Sequence, residues 1–292
     1  MSLGASPDVA ASRGVPASSG RAPAGSRTRR WLRNARYYLP AIAVFLAGIV
    51  LWELVVGALG LQAFILPKPS AIVAALQANW GGGRFAMLPS AQATLLEALG
   101  GLVIGTLAGV GVAFVTARWV TARSALLPLA IAAGAVPIIA VAPLMNNWFG
   151  VLSPLSKMMM AALLVFFPVM VNVTRGLVQV EPASLELMRS YAASEGAVLR
   201  KVRIPNALPF FFTALKLGAT LSLIGAIVGE YFGGSSLVLG RIIVQSASAL
   251  RFDVTWAAIL LGAATGIVFY LAISAVERFV IPWHASVRAT ES

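Results

Sequence analysis

The chain has 292 residues, of which 59% are hydrophobic and only 11% charged. A soluble domain carries roughly 25% charged residues, so most of this chain must face lipid or other buried helices. Its apolar runs are continuous rather than alternating, which points to membrane-spanning α-helices and excludes a β-barrel. The formal charge of +12 falls in short clusters between apolar segments, the pattern that sets membrane topology, and no nucleic-acid partner is expected. There is no cysteine, which excludes disulfides, thiolate metal sites and cysteine nucleophiles. The single histidine, His284, follows the last apolar run and has no partner for a metal site or a triad. No metal, no cofactor and no catalytic residue is expected.

Residues 1–36 are rich in Ala, Gly, Ser, Pro and Arg and read as a disordered basic cytoplasmic tail. Thr28-Arg29-Arg30-Trp31-Leu32 is similar to a twin-arginine export signal. The apolar run behind it is long and lacks a small-residue cleavage site, so an uncleaved anchor is expected. Residues 37–94 comprise a first span, at 38–59, and a short extracytoplasmic helix at 69–80. In that helix Ser70 is placed to cap, and Ile72, Ala75, Leu76 and Trp80 share a face. Residues 95–282 form the core, with apolar segments at 95–117, 125–145, 155–177, 210–230 and 254–281. Each is near the roughly 20 residues that cross a bilayer. The expected fold is an all-α bundle of six transmembrane helices. Pro137 and Pro143 in the third span and Pro168 in the fourth predict kinks. Residues 233–253 read as a re-entrant or interfacial helix, and 283–292 as a second cytoplasmic tail.

Small residues recur on two spans. Gly100-Gly101, Gly105, Gly109 and Gly111 on the second, and Gly225, Gly229, Gly233 and Gly234 on the fifth, predict close helix packing within the subunit or across a dimer. Charge counting predicts the orientation. With the N-terminus inside, the inner segments hold Arg13, Arg21, Arg27, Arg29, Arg30, Arg33, Arg36, Arg118, Arg123, Arg175, Arg189, Arg200, Lys201, Arg203, Lys216, Arg278 and Arg288. The outer ones hold Lys68, Arg84, Lys157, Arg241 and Arg251, so the balance is 17 against 5 and places both termini inside.

The longest inner loop, 181–209, has an ordered composition. Leu185, Met188 and Tyr191 recur at i, i+3, i+6, with Glu186, Arg189 and Ser190 elsewhere on the helix. Ser194 can cap a second short helix that mixes Val198, Leu199 and Val202 with Arg200, Lys201 and Arg203, and Pro205 and Pro209 are expected to end it. Such a pair either docks into a groove on a partner protein or lies passively against lipid headgroups.

The loop resembles the "EAA" loop of bacterial ABC-importer permeases, whose pattern is E-A-A, three residues, G, nine residues, I-x-L-P. Glu186-Leu187-Met188 takes the first triplet, Ala192 the glycine position and Val202-Arg203-Ile204-Pro205 the end. Alanine lacks the glycine's access to positive φ, so the turn is expected to be made without Ala192 or shifted towards Gly196. Leu51-Trp52-Glu53-Leu54 with Leu66-Pro67-Lys68-Pro69-Ser70, and Gly229-Glu230-Tyr231 with Leu239-Gly240 and Asp253, resemble permeases of the nitrate/sulfonate/taurine type over about residue 45 to 282. Pro143-Leu144-Met145-Asn146-Asn147-Trp148-Phe149-Gly150 and Met188-Arg189-Ser190-Tyr191 are most similar to the pyrimidine-precursor and riboflavin branch. The resemblance implies the MetI-like permease bundle, in the bacterial inner membrane and bathed by its lipid. It further implies a second permease copy, an extracytoplasmic substrate-binding protein and ABC ATPase subunits that receive the loop. Glu186 and Arg189 would then be the polar contacts to the ATPase and Leu185, Met188 and Tyr191 the apolar ones, with Ala192 and Pro205 completing the motif. The chain itself is not expected to be an enzyme: no G-x-x-x-x-G-K-[ST] loop is present, and Gly81-Gly82-Gly83-Arg84 lacks its lysine.

Candidate path residues are fewer. Glu53, Glu97 and Glu230 lie in or at the ends of spans, and an intramembrane carboxylate is either functional or a helix-end or paired group. Asn146 and Asn147 adjoin Trp148 and Phe149, which suits either recognition of a flat polar solute or a turn in an aromatic belt. Asn146, Asn147, Glu97 and Glu230 are the expected lining of the translocation path. The competing reading is an ion-gradient-driven secondary transporter, which would want two related halves with paired charges or broken helices. No internal repeat is visible.

Overall fold

The computed structural model describes residues 26–282, with side chains from Leu39. Most of the tail read at 1–36, together with His284 and the tail at 283–292, lies outside the described residues. Every regular element among the described residues is helical. The chain falls into two units, one ending at Leu51 and one beginning at Trp52. Helix α1 (Ser26–Ala58) runs from the first into the second, and its stretch Leu39–Ala58 is apolar enough to cross a membrane. Its side chains from Leu39 to Leu51 are almost all exposed, Val44 at 73%.

The second unit carries α2 (Pro69–Ala78), α3 (Met87–Arg118), α4 (Val120–Ala133), α5 (Ile138–Phe149), α6 (Pro154–Val178), α7 (Pro182–Ser190), α8 (Glu195–Val198), α9 (Ile204–Phe232), α10 (Leu239–Ser248) and α11 (Phe252–Val280). Helix α6 is central, packed against α3 on one side and α9 on the other. The glycines on α3 make this possible. A Cβ on Gly101 would sit 2.3 Å from the Ala161 Cβ, and one on Gly105 would sit 2.5 Å from the Ala162 carbonyl oxygen. Gly109 is closed by the Phe166 carbonyl and Val169, while Gly111 meets open space and takes no part. Gly225 on α9 lies against the Ala161 backbone from the other side. The expected small-residue seam is therefore within the subunit. Such contacts stabilise by dispersion, because lipid tails remove any hydrophobic preference between helices. Gly101→Ala is expected to cost about 1–2 kcal/mol by overpacking, read as a lowered unfolding midpoint in detergent, whereas Gly111→Ala should leave the midpoint unchanged.

The third span differs from expectation. It is two helices, α4 and α5, bent by 98° at a short break. Pro137 stands at the N-cap of α5 with φ −62° and ψ 113°, an extended conformation that no helix can continue through. Pro143 stays inside α5 and Pro128 inside α4. Among the described residues five helices are long and apolar enough to span, and the bent pair makes six if it counts as one.

The two short helices at one end of the bundle are capped from a distance. Ser70 does not cap α2; Lys68 is its N-cap residue, without a side-chain bond. Instead the Ser70 N–H (3.0 Å) and hydroxyl (2.8 Å) both donate to the Glu53 carboxylate. A carboxylate there satisfies an orphan donor and complements the helix dipole, so Glu53 is a structural helix-end group. Helix α10 is held likewise: the Leu239 N–H donates to Thr94 Oγ1 (3.0 Å) and the Gly240 N–H to Glu230 Oε2 (2.6 Å). It packs Leu239, Ile242 and Ile243 into a second core with Ile72, Met87 and Val254.

Candidate functional site

Two groups of residues stand out, at opposite ends of the bundle. At the first end lies α7, which has no buried residue. Leu185 and Met188 are half-buried against the bundle, while Glu186, Leu187 and Arg189 are exposed, as is Tyr191 at 76%. The exposed apolar pair is thus Leu187 and Tyr191. Leu187 was missed in the sequence because the i, i+3, i+6 series passes it by.

Helix α7 ends on Ala192, whose φ is +49°. The Ala193 N–H donates to the Met188 carbonyl (3.0 Å) and the Ala192 N–H to the Arg189 carbonyl (2.9 Å). This is a Schellman cap with alanine at the position glycine usually holds. The expected shift of the turn towards Gly196 does not occur; the paired cap bonds outweigh the left-handed penalty of about 1 kcal/mol. Ala192→Gly is accordingly expected to raise stability by about 1 kcal/mol, measured as a higher unfolding midpoint of the detergent-solubilised protein.

The second helix of the loop also departs from expectation. Ser194 does cap α8, accepting from the Ala197 N–H (3.4 Å). Pro205 and Pro209, however, do not end it. A π-turn at Leu199–Arg203 leads directly into α9, and Pro209 lies inside that helix. The wider turn relieves the clash a proline ring makes with the preceding turn. Asn206 fixes the junction, its Nδ2 donating to the Gly176 (2.8 Å) and Gln179 (3.0 Å) carbonyls at the end of α6. Between α7 and this junction opens a cavity of about 500 Å³ lined by Ser184, Leu187, Met188, Lys201, Pro205 and Asn206.

At the other end, beneath α10, four helices contribute to a buried polar cluster. Glu230 and Lys157 are fully buried, and Glu97 and Asn146 nearly so. Lys157 Nζ donates to the Val151 carbonyl (2.6 Å) and to Asn146 Oδ1 (3.3 Å). The Glu97 and Glu230 carboxylates neighbour each other and the Lys157 ammonium, and Arg241 lies close to Lys157. Glu97 Oε2 and Glu230 Oε1 have no hydrogen-bond partner among the described residues. Of the four expected path residues the structure thus brings together Asn146, Glu97 and Glu230. Asn147 is exposed. Lys157 was missed because it reads as an outer-loop charge, although a lysine one turn inside an apolar helix is itself a signal. Apart from this cluster, a part-buried ion pair joins Lys216 Nζ on α9 to Glu277 Oε2 on α11 at 2.7 Å.

The model of the "Binding-protein-dependent transport system inner membrane component" family matches residues 101–283, more than half of the chain. The chain belongs to this family. It is 31% identical to the riboflavin transport system permease protein of Chloroflexus aurantiacus, over 82% of this chain and 87% of that one. To the formylaminopyrimidine transport permease protein of Halalkalibacterium halodurans it is 30% identical, over 82% and 93%. To the taurine transport system permease protein of Escherichia coli it is 29% identical, over 67% and 70%. The permease is therefore the multi-pass inner-membrane component of an ABC importer for small solutes and not itself an enzyme. Membership implies an ATPase and a substrate-binding protein as partners.

Proposed function

We propose that this permease works as one of two identical copies enclosing a path for a small organic solute, and that α7 seats in a cleft of a separate ATPase. The end carrying α7 faces the cytoplasm, where Arg118, Arg123, Arg175, Arg200, Lys201, Arg203 and Arg278 gather. Glu186 and Arg189 make the polar contacts, Leu187 and Tyr191 the apolar ones, and Leu185 and Met188 hold α7 to the bundle. Ala192 sets the turn, and Pro205 marks where the loop passes into α9. The observation that carries this reading is that α7 lies wholly without buried residues yet holds a defined cap and two exposed large apolar side chains. A helix of that kind is built for a groove on another protein. The solute is a heterocycle of the pyrimidine-precursor or riboflavin kind, or a sulfonate, nitrate or taurine.

Co-purification tests the coupling. The ATPase is expected to accompany the wild type and to be lost from Glu186→Arg and from a deletion of residues 185–191. Unchanged association in both variants would sink the proposal.

A further inference from the structure

The break in the third span has a cavity beside it that neither group above includes. It has a volume of about 360 Å³ and lies between the α4–α5 bend and α6, lined by Ile131, Val136, Ile138, Leu164, Phe167 and Asn172 among others. Residues 134–137 at the bend are non-helical and exposed. In a membrane-spanning segment, non-helical backbone is tolerated only where protein buries it or where it lines a water-filled cavity. Here the described residues of its own subunit leave it open. On the facing helix, Pro168 carries no N–H, so the Leu164 carbonyl loses its helical donor. Asn172 Nδ2 is held by the Pro168 carbonyl at 2.8 Å, which fixes the amide and leaves its Oδ1 to accept. The Phe167 ring adds a flat apolar surface. The volume is within the range of small-molecule sites, and no charged side chain among the described residues lines the cavity.

We infer that this cavity is a water-filled stretch of the path that holds an uncharged, flat solute with a hydrogen-bond-donating edge. Resting on the importer reading, the inference narrows the solute to the heterocyclic class. A sulfonate or nitrate entering the cavity would meet no cation among its lining residues to offset the hydration it sheds on binding. The charged cluster under α10 does not serve this role, because its lysine is already held by Val151 and Asn146.

The absence of cysteine makes the test direct. Ile138→Cys, Asn172→Cys and a control, Val268→Cys on the exposed face of α11, are made in the full chain and assayed in membrane vesicles. The probes are an uncharged hydrophilic thiosulfonate and its sulfonated counterpart, each rate being divided by that for a free thiol. The uncharged probe is expected to label positions 138 and 172 at least about tenfold faster than 268. The sulfonated probe should be slower there by at least about tenfold, the rate equivalent of the cost of bringing an anion into an uncharged membrane site. Labelling at 138 and 172 no faster than at 268 overturns the water-filled cavity. Disulfide formation between copies through position 138, with no labelling, overturns it in favour of a subunit contact. Equal rates for the two probes overturn the uncharged class. None of these readings needs the ATPase, so a failure here is distinct from a failure of the coupling at α7.

Discussion

Lys157→Met is expected to destabilise the permease by about 3–5 kcal/mol, the usual cost of removing one partner from a buried ionic group. The side chain is fully buried, and its ammonium is the donor to both the Val151 carbonyl and Asn146. Methionine fills the space but leaves that carbonyl unpaired and two neighbouring carboxylates, Glu97 and Glu230, without their nearest cation. The effect should appear as a large fall in unfolding midpoint and in the yield of monodisperse protein. Adding Glu97→Gln to the variant is expected to recover a good part of the loss, because it separates two crowded carboxyl groups and supplies an amide donor beside Glu230. A single-variant cost below about 1 kcal/mol, the value of an exposed pair, would show that the cluster is not closed to water.

The Lys216–Glu277 pair gives the second expected result. Lys216→Met leaves Glu277 uncompensated in a site only 11% exposed, and a cost of about 3 kcal/mol is expected. The double variant Lys216→Met with Glu277→Met should return most of the lost stability, since well-packed apolar residues often replace a buried pair without penalty. A double-mutant cycle on unfolding free energy measures this, and purely additive losses would exclude the pair as an energetic link between α9 and α11.

The long spans were legible because hydropathy is a local property: the segments read at 155–177 and 254–281 became α6 and α11 with shifts of only a residue or two at each end. In the 181–209 loop the cap residue Ser194 was legible for the same reason, being set within a few positions. Conformation at single residues was less so. Ala192 adopts positive φ because two cap hydrogen bonds require it, and Leu250 does the same after α10, with φ +57°. The bend at 134–137 was read as a kink because a proline inside an apolar run ordinarily gives one. The cluster around Lys157 was the least legible part. Its members come from α3, α5, α6 and α9, and only the packing of α6 between α3 and α9 makes them neighbours.

The π-turn at Leu199–Arg203 has a mechanical consequence. Because the chain does not break at Pro205, the segment Glu195–Phe232 is one continuous helix of 38 residues, which at 1.5 Å per residue is a rod about 57 Å long. One end of the rod begins beside the α7 cap, and near the other end Glu230 holds the start of α10. A displacement applied at the foot beside α7 is therefore expected to arrive at the other end of the bundle as the motion of a single lever, with no break in the helix in which to be lost.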